Sequence, residues 1–159
     1  MKTPQTRGSL GILGLLILLT LGIGWLGSQS THPEITGWYA NLIKPSFKPP
    51  NYLFGPVWTM LYLLMAISQW MVRNATQNKH TKIFFGLMLI CNAFWSPVFF
   101  KYHLIGWALV VLVLYLITLA VWIRYLYQEN KTAAYLQSPH VLWASFATVL
   151  NASIYLLNR

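Results

Sequence analysis

Five long runs of this chain contain no charged residue, and that pattern leaves few folds open. Gly8 to Ser30, Pro49 to Val72, Ile83 to Phe100, Leu104 to Ile123 and Thr132 to Asn158 hold no Asp, Glu, Lys or Arg. A helix crossing a bilayer needs about 20 mostly apolar residues. None of the runs alternates apolar and polar residues as barrel strands do. The expected fold is therefore an all-α membrane protein, a five-transmembrane-helix bundle. It forms one domain over 1–159, with spans at about 9–28, 53–72, 83–100, 104–124 and 134–157. Charge content agrees: 8% of the residues are charged, against roughly 25% in soluble domains. Lys2, Arg7, the apolar core and then Ser28 and Ser30 also fit a secretory signal. The core from Leu10 to Leu26 is long for one, so the run reads as a retained span.

The net charge of +9 does not point to nucleic acid, because the basic residues sit singly at the ends of apolar runs. Basic flanks orient helices instead. With the N-terminus in the cytoplasm, that side carries Lys2, Arg7, Arg73, Lys79, Lys82, Arg124 and Lys131. The other side carries Lys44, Lys48, Lys101 and Arg159. The bias favours a cytoplasmic N-terminus.

Several chemistries are excluded. Cys91 stands alone, so there is no intramolecular disulfide, CxxC pair or cysteine zinc site. The two acids, Glu34 and Glu129, lie in separate loops, which removes paired-carboxylate catalysis. Ion-coupled transporters keep an ionisable residue inside the membrane, and the five runs hold no acid, Lys or Arg. His32, His80, His103 and His140 show no converging metal-ligand spacing, so no metal and no cofactor is expected. They read as loop or interfacial residues. One alternative makes His140 an axial haem ligand.

Prolines mark the helix boundaries. Pro56 fits the first turn of span two. Pro97 removes the bond to the carbonyl of Ala93 and predicts a kink. Ser138-Pro139 reads either as an N-cap and first helical residue or as a bend in a helix begun near Thr132. Lys101-Tyr102-His103 permits only a tight antiparallel turn. By contrast, the stretch from Gln29 to Tyr52 is long, with a second half rich in proline and aromatics, which suits a lid or binding loop.

The chain has eight Trp, nine Tyr and eight Phe. Trp25, Trp70, Trp122 and Tyr125 fit interfacial belts by position. Others lie deeper and share helix faces. Trp58, Tyr62 and Met65 form one face. Asn92, Trp95, Ser96 and Phe99 form a second, and Trp143, Phe146, Ala147 and Leu150 a third. Such stripes serve packing, or they wall a pocket for a flat apolar ligand with Asn92 as a polar anchor. Ala144, Thr148 and Ala152 form a small-residue row suited to close helix contact.

Four motifs carry a family resemblance. They are Trp38-Tyr39-Ala40-Asn41-Leu42-Ile43-Lys44-Pro45-Ser46-Phe47-Lys48-Pro49-Pro50, Pro56-Val57-Trp58 with Tyr62, Asn92 to Phe100, and Trp143 to Asn151. In this order they resemble the TspO/translocator-protein family, also called tryptophan-rich sensory proteins or peripheral-type benzodiazepine receptors. The resemblance implies a five-helix bundle, usually a homodimer. Its pocket binds porphyrins and other tetrapyrroles, sterols such as cholesterol, or isoquinoline and benzodiazepine drugs. Trp58, Asn92, Trp95, Trp143 and Ala147 fall where the family lines that pocket. The helix faces add Tyr62, Phe99 and Phe146 to the same candidate wall. The first loop, with Trp38, Lys44, Pro45, Phe47, Pro49 and Pro50, falls where the lid lies.

The function expected is a membrane receptor or sensor for tetrapyrroles, with a role in their transport. It stands ahead of light-dependent porphyrin breakdown and of sterol or lipid binding. Animal members carry tyrosines where this chain has Ala152 and Ser153, so the sterol motif is imperfect here. The expected location is a bacterial cell membrane.

Overall fold

In hydrocarbon every backbone N–H and C=O must be paired within the chain, so long apolar runs become helices. The computed structural model describes the backbone of residues 6–74 and 78–159, and all regular structure there is helical. Lys2 and the Arg7 side chain, which enter the charge balance, lie outside the described part. The elements are α1 (Thr6–Ile35), α2 (Trp38–Asn41), a 3-10 turn (Asn51–Leu53), α3 (Phe54–Met71), α4 (Asn78–Ser96), a π segment (Pro97–Lys101), α5 (Ile105–Glu129), α6 (Lys131–Tyr135) and α7 (Ser138–Leu157). Among the described residues, five stretches are long and apolar enough to span a membrane: Leu10–Ile35, Asn51–Met71, Lys79–Lys101, Ile105–Glu129 and Lys131–Leu157. Their outward side chains are large and apolar, with Leu18 70% and Leu142 72% exposed. A soluble monomer rarely shows such a surface, and lipid covers it at no cost.

The first helix runs further than its uncharged stretch, through Pro33 to Ile35. Its inward residues are small. Thr20 donates through Oγ1 to the Tyr62 carbonyl of α3 at 3.0 Å. Gly24 lies under the Tyr62 ring, where a Cβ would overlap ring carbons. One and two turns on, Gly27 and Thr31 approach Ser96 of α4. Small residues at this spacing let membrane helices approach closely. The result is that α1 packs on both α3 and α4.

At Pro97 the missing N–H breaks the α-helical ladder. The chain answers by changing register: Tyr102 N–H bonds to the Pro97 carbonyl at 3.0 Å, and Leu104 N–H to Val98 at 3.0 Å. The extra residue turns both Phe99 and Phe100 inward. His103 then closes the turn with φ 56°, a left-handed conformation.

In α5 a buried row of Ala108, Leu112, Tyr115, Leu119, Trp122 and Leu126 steps by four and three. This helix packs against both α4 and α7. Trp122 is fully buried and donates to Gln69 Oε1 at 3.0 Å. It is therefore a core residue, not the interfacial one its position suggested. The fifth span is two helices. Asn130 caps α6 by accepting from Ala133 N–H at 3.1 Å. Gln137 stands at the N-cap position of α7, and Ser138 instead donates to the Tyr135 carbonyl at 2.9 Å. Of the two readings of Ser138-Pro139, the structure starts a separate helix there, with Pro139 in its first turn but with Ser138 inside the helix and not as its cap.

Adding a methyl group at Gly24 should push Tyr62 aside and cost about 1–3 kcal/mol. Gly22, with open space around it, should gain up to about 1 kcal/mol from the same change. Melting temperatures of Gly24→Ala and Gly22→Ala in detergent test this, and equal shifts would show that the α1–α3 seam is not close-packed.

Candidate functional site

Near the first-loop end, α3 and α7 barely meet along their backbones. Aromatic side chains bridge them: Phe54 packs edge-on to Trp143 at 5.5 Å, and Trp58 edge-on to His140 at 6.3 Å. Between α1, α3, α4 and α7 lies a cavity of about 590 Å³, within the size range of ligand pockets.

Six of the eight candidate wall residues line it. Trp58 and Tyr62 come from α3, Asn92 and Trp95 from α4, Phe99 from the π segment and Ala147 from α7. Trp58 stacks on Tyr62 at 5.6 Å. The polar groups here pair with one another. Tyr62 O–H donates to Asn92 Oδ1 at 2.6 Å, and Trp95 Nε1 donates to Asn151 Oδ1 at 3.2 Å. Asn151 in turn donates to the Ile105 carbonyl at 3.0 Å. Hydrogen bonds therefore fix the planes of Tyr62 and Trp95.

Trp143 and Phe146 do not line the cavity. They pack on each other at 5.5 Å with their planes tilted by 37°, and form the backing for Phe54 and Phe47. The indole Nε1 of Trp143 is buried with no hydrogen-bond partner among the described residues. Residues missed by the sequence reading include the entire α1 wall, among them Leu21, Gly24, Gly27 and Thr31. Their signal was present as a row of small residues in an otherwise Leu-rich helix. Tyr39, Phe54, Leu150 and Asn151 line the cavity as well.

The first loop covers this end. None of Trp38, Lys44, Pro45, Phe47, Pro49 and Pro50 touches the cavity itself; Tyr39 does. Burial pushes the Tyr39 phenol up to about 12. The other residues fasten the loop. Trp38 stacks on His103 at 4.1 Å, and Glu34 reaches the same imidazole at 3.3 Å. Lys44 Nζ donates to the carbonyls of Ala40 and Leu42 at 3.0 and 2.8 Å. Desolvation, and next the charge of Lys48, lower its pKa. Pro45 and Pro50 accept turn bonds from Lys48 and Leu53 N–H, and Lys48 Nζ donates to the Pro49 carbonyl at 3.1 Å. Phe47 packs on Phe146 at 6.2 Å. Asn158 clips the loop to the end of α7: its Oδ1 accepts from Ile43 N–H and its Nδ2 donates to Ile43 C=O, both at 2.9 Å.

Behind Trp58 runs a directed chain of buried polar groups. Tyr115 O–H bonds to His140 Nε2, and His140 Nδ1 to Gln137 Oε1 at 3.0 Å. Gln137 Nε2 donates to the Leu64 carbonyl at 3.0 Å and to Ser68 Oγ at 2.8 Å. Ser68 O–H donates to the Ala133 carbonyl at 2.9 Å. His140 is thus neither interfacial nor free to act as an axial ligand: it is fully buried and both ring nitrogens are engaged. Among the described residues, no group of three or more His, Cys, Asp or Glu side chains comes together.

A helical bundle of five apolar spans enclosing an aromatic cavity defines a multi-pass membrane protein with an intramembrane pocket. The TspO/MBR family model matches residues 16–157. The chain is 40% identical to the tryptophan-rich protein TspO of Archaeoglobus fulgidus, covering 89% of this chain and 94% of that one. It is 34% identical to the tryptophan-rich protein TspO of Chlorobaculum tepidum, over 92% of this chain and 95% of that one. The human translocator protein is 34% identical, over 90% of this chain and 87% of its own. This chain belongs to the TspO/MBR family, and it is an integral multi-pass membrane protein.

Two consequences can be measured. His140→Phe takes a hydrogen-bond partner from both Gln137 Oε1 and the Tyr115 hydroxyl and should cost about 1–3 kcal/mol. An unchanged melting temperature would show that the buried chain adds nothing to stability. Asn158→Ala should speed hydrogen exchange at the Ile43 amide by about tenfold, the worth of one net hydrogen bond. Equal protection in both proteins would mean that the loop is held elsewhere.

Proposed function

We propose that this protein is a membrane receptor and sensor that binds porphyrins or other tetrapyrroles inside its helix bundle. The observation that carries the reading is the cavity walled by Trp58, Tyr62, Trp95 and Phe99, with Asn92 among them. Rings held by hydrogen bonds offer flat, apolar faces, and flat aromatic ligands stack on such faces. Ala147 adds a small residue to the same lining, and Gly24 lets the Tyr62 ring lie close against α1. Trp143 and Phe146 support the site from behind, and the first loop serves as its lid. The name of the human relative, translocator protein, speaks for movement of the ligand through the same cavity. Under this reading the N-terminus is cytoplasmic, as the basic flanks favour, two chains pair as a homodimer, and the membrane is that of a bacterial cell.

Protoporphyrin titrated into the purified protein should quench tryptophan fluorescence saturably. Ala147→Phe places a ring inside the cavity and should weaken the affinity by about tenfold or more, a loss of about 1.4 kcal/mol. Identical isotherms for the two proteins would move the ligand out of this cavity.

A further inference from the structure

The cavity is unevenly furnished. Its deeper polar groups are already spoken for, since Tyr62 bonds to Asn92 and Trp95 to Asn151. No Asp, Glu, Lys or Arg lines it. At its mouth the situation reverses. His32, on the last turns of α1, and Asn51 and Tyr52, in the 3-10 turn ahead of α3, line the cavity and are also exposed. Tyr52 is 75% exposed. Among the described residues, none hydrogen-bonds to the His32 imidazole, the Asn51 amide or the Tyr52 hydroxyl. The acid nearest to His32 in sequence, Glu34, is taken by His103 at 3.3 Å. Ser28, one turn below His32, also lines the mouth, but its hydroxyl is spent on the Trp25 carbonyl at 2.6 Å.

From this asymmetry we infer that His32, Asn51 and Tyr52 form a carboxylate subsite at the cavity mouth. It would receive the acidic side chains of a flat ligand whose ring system lies inside. This rests on the tetrapyrrole reading above and adds to it a chemical requirement and an orientation. A carboxylate is costly to carry into hydrocarbon, and more so where the polar groups are already paired. The ring system therefore enters and the acid stays outside. Three donors without partners stand where it stays, one of them the sole ionisable base in the lining. An imidazole donates from its N–H whether neutral or charged, and a charged donor strengthens the bond.

The test compares protoporphyrin with its dimethyl ester, which keeps the ring and loses the charge. Both are titrated against full-length wild type, His32→Leu and His32→Lys. Each protein meets the same two probes, so differences in how the probes partition into detergent or lipid cancel. Wild type should bind the acid about tenfold more tightly than the ester, the scale of one charge-assisted hydrogen bond. In His32→Leu the ratio should fall toward one, the acid losing more affinity than the ester, and His32→Lys should restore the preference. An unchanged ratio in His32→Leu, or equal losses for acid and ester, would overturn the subsite while leaving the cavity as the ring site. If neither probe binds saturably to wild type, the tetrapyrrole reading falls, and the subsite with it.

Discussion

Hydrocarbon offers no hydrogen-bond partner, so among the described residues the buried polar side-chain atoms, Trp143 Nε1 excepted, pair inside the bundle. That constraint decides the pairings. Thr20 reaches the Tyr62 carbonyl, Trp122 reaches Gln69, and Ser68, Gln137, His140 and Tyr115 link in one direction across α3, α5 and α7. All of these bonds except Gln137–His140 join residues far apart in the chain. Together they fix the rotation of each helix about its own axis, which apolar packing against equally apolar lipid does poorly.

The cavity follows from where close packing stops. On one side α1 approaches α3 and α4 through Gly24 and Gly27, which leave only the Tyr62 ring and the Ser96 side chain in the seam. Across the bundle, α3 and α7 are held apart by Phe54, Trp143, Trp58 and His140. One seam is tight and the other is propped open by rings, so space remains between them. The π segment after Pro97 contributes by turning Phe99 and Phe100 inward together, which a regular α-helix does not do for adjacent residues. The first loop then packs over this end, held by Asn158, Phe146 and His103, and puts Tyr39 into the lining of the space beneath it.

Much of the site was legible because helix faces are a local property. Trp58 with Tyr62, and Asn92 with Trp95 and Phe99, share faces by spacing alone, and each face meets the cavity. The same rule placed Trp143, Phe146 and Ala147 together, yet only Ala147 looks into the space. A face is about a third of a helix wide, and two neighbours can share it; Phe54 and Phe47 occupy the rest. Trp122 was misjudged for a related reason. Its place near a helix end suggested the interface, but Gln69 on another helix supplied an acceptor and drew it into the core. Sequence distance hides such partners.

By itself, the sequence determined the helical class, the number of spans and the family, because charge gaps, apolar length and short motifs are properties of contiguous residues. The long first loop and the break at Pro97 belong to the same category. Only the tertiary structure decided which face meets which neighbour. Each residue turns a helix by about 100°, so a small change in rotation moves a side chain from wall to backing. That rotation is set by long-range pairs such as Thr20 with Tyr62 and Asn158 with Ile43. No local pattern encodes them, and on them depend both the α1 wall of the cavity and the position of its mouth.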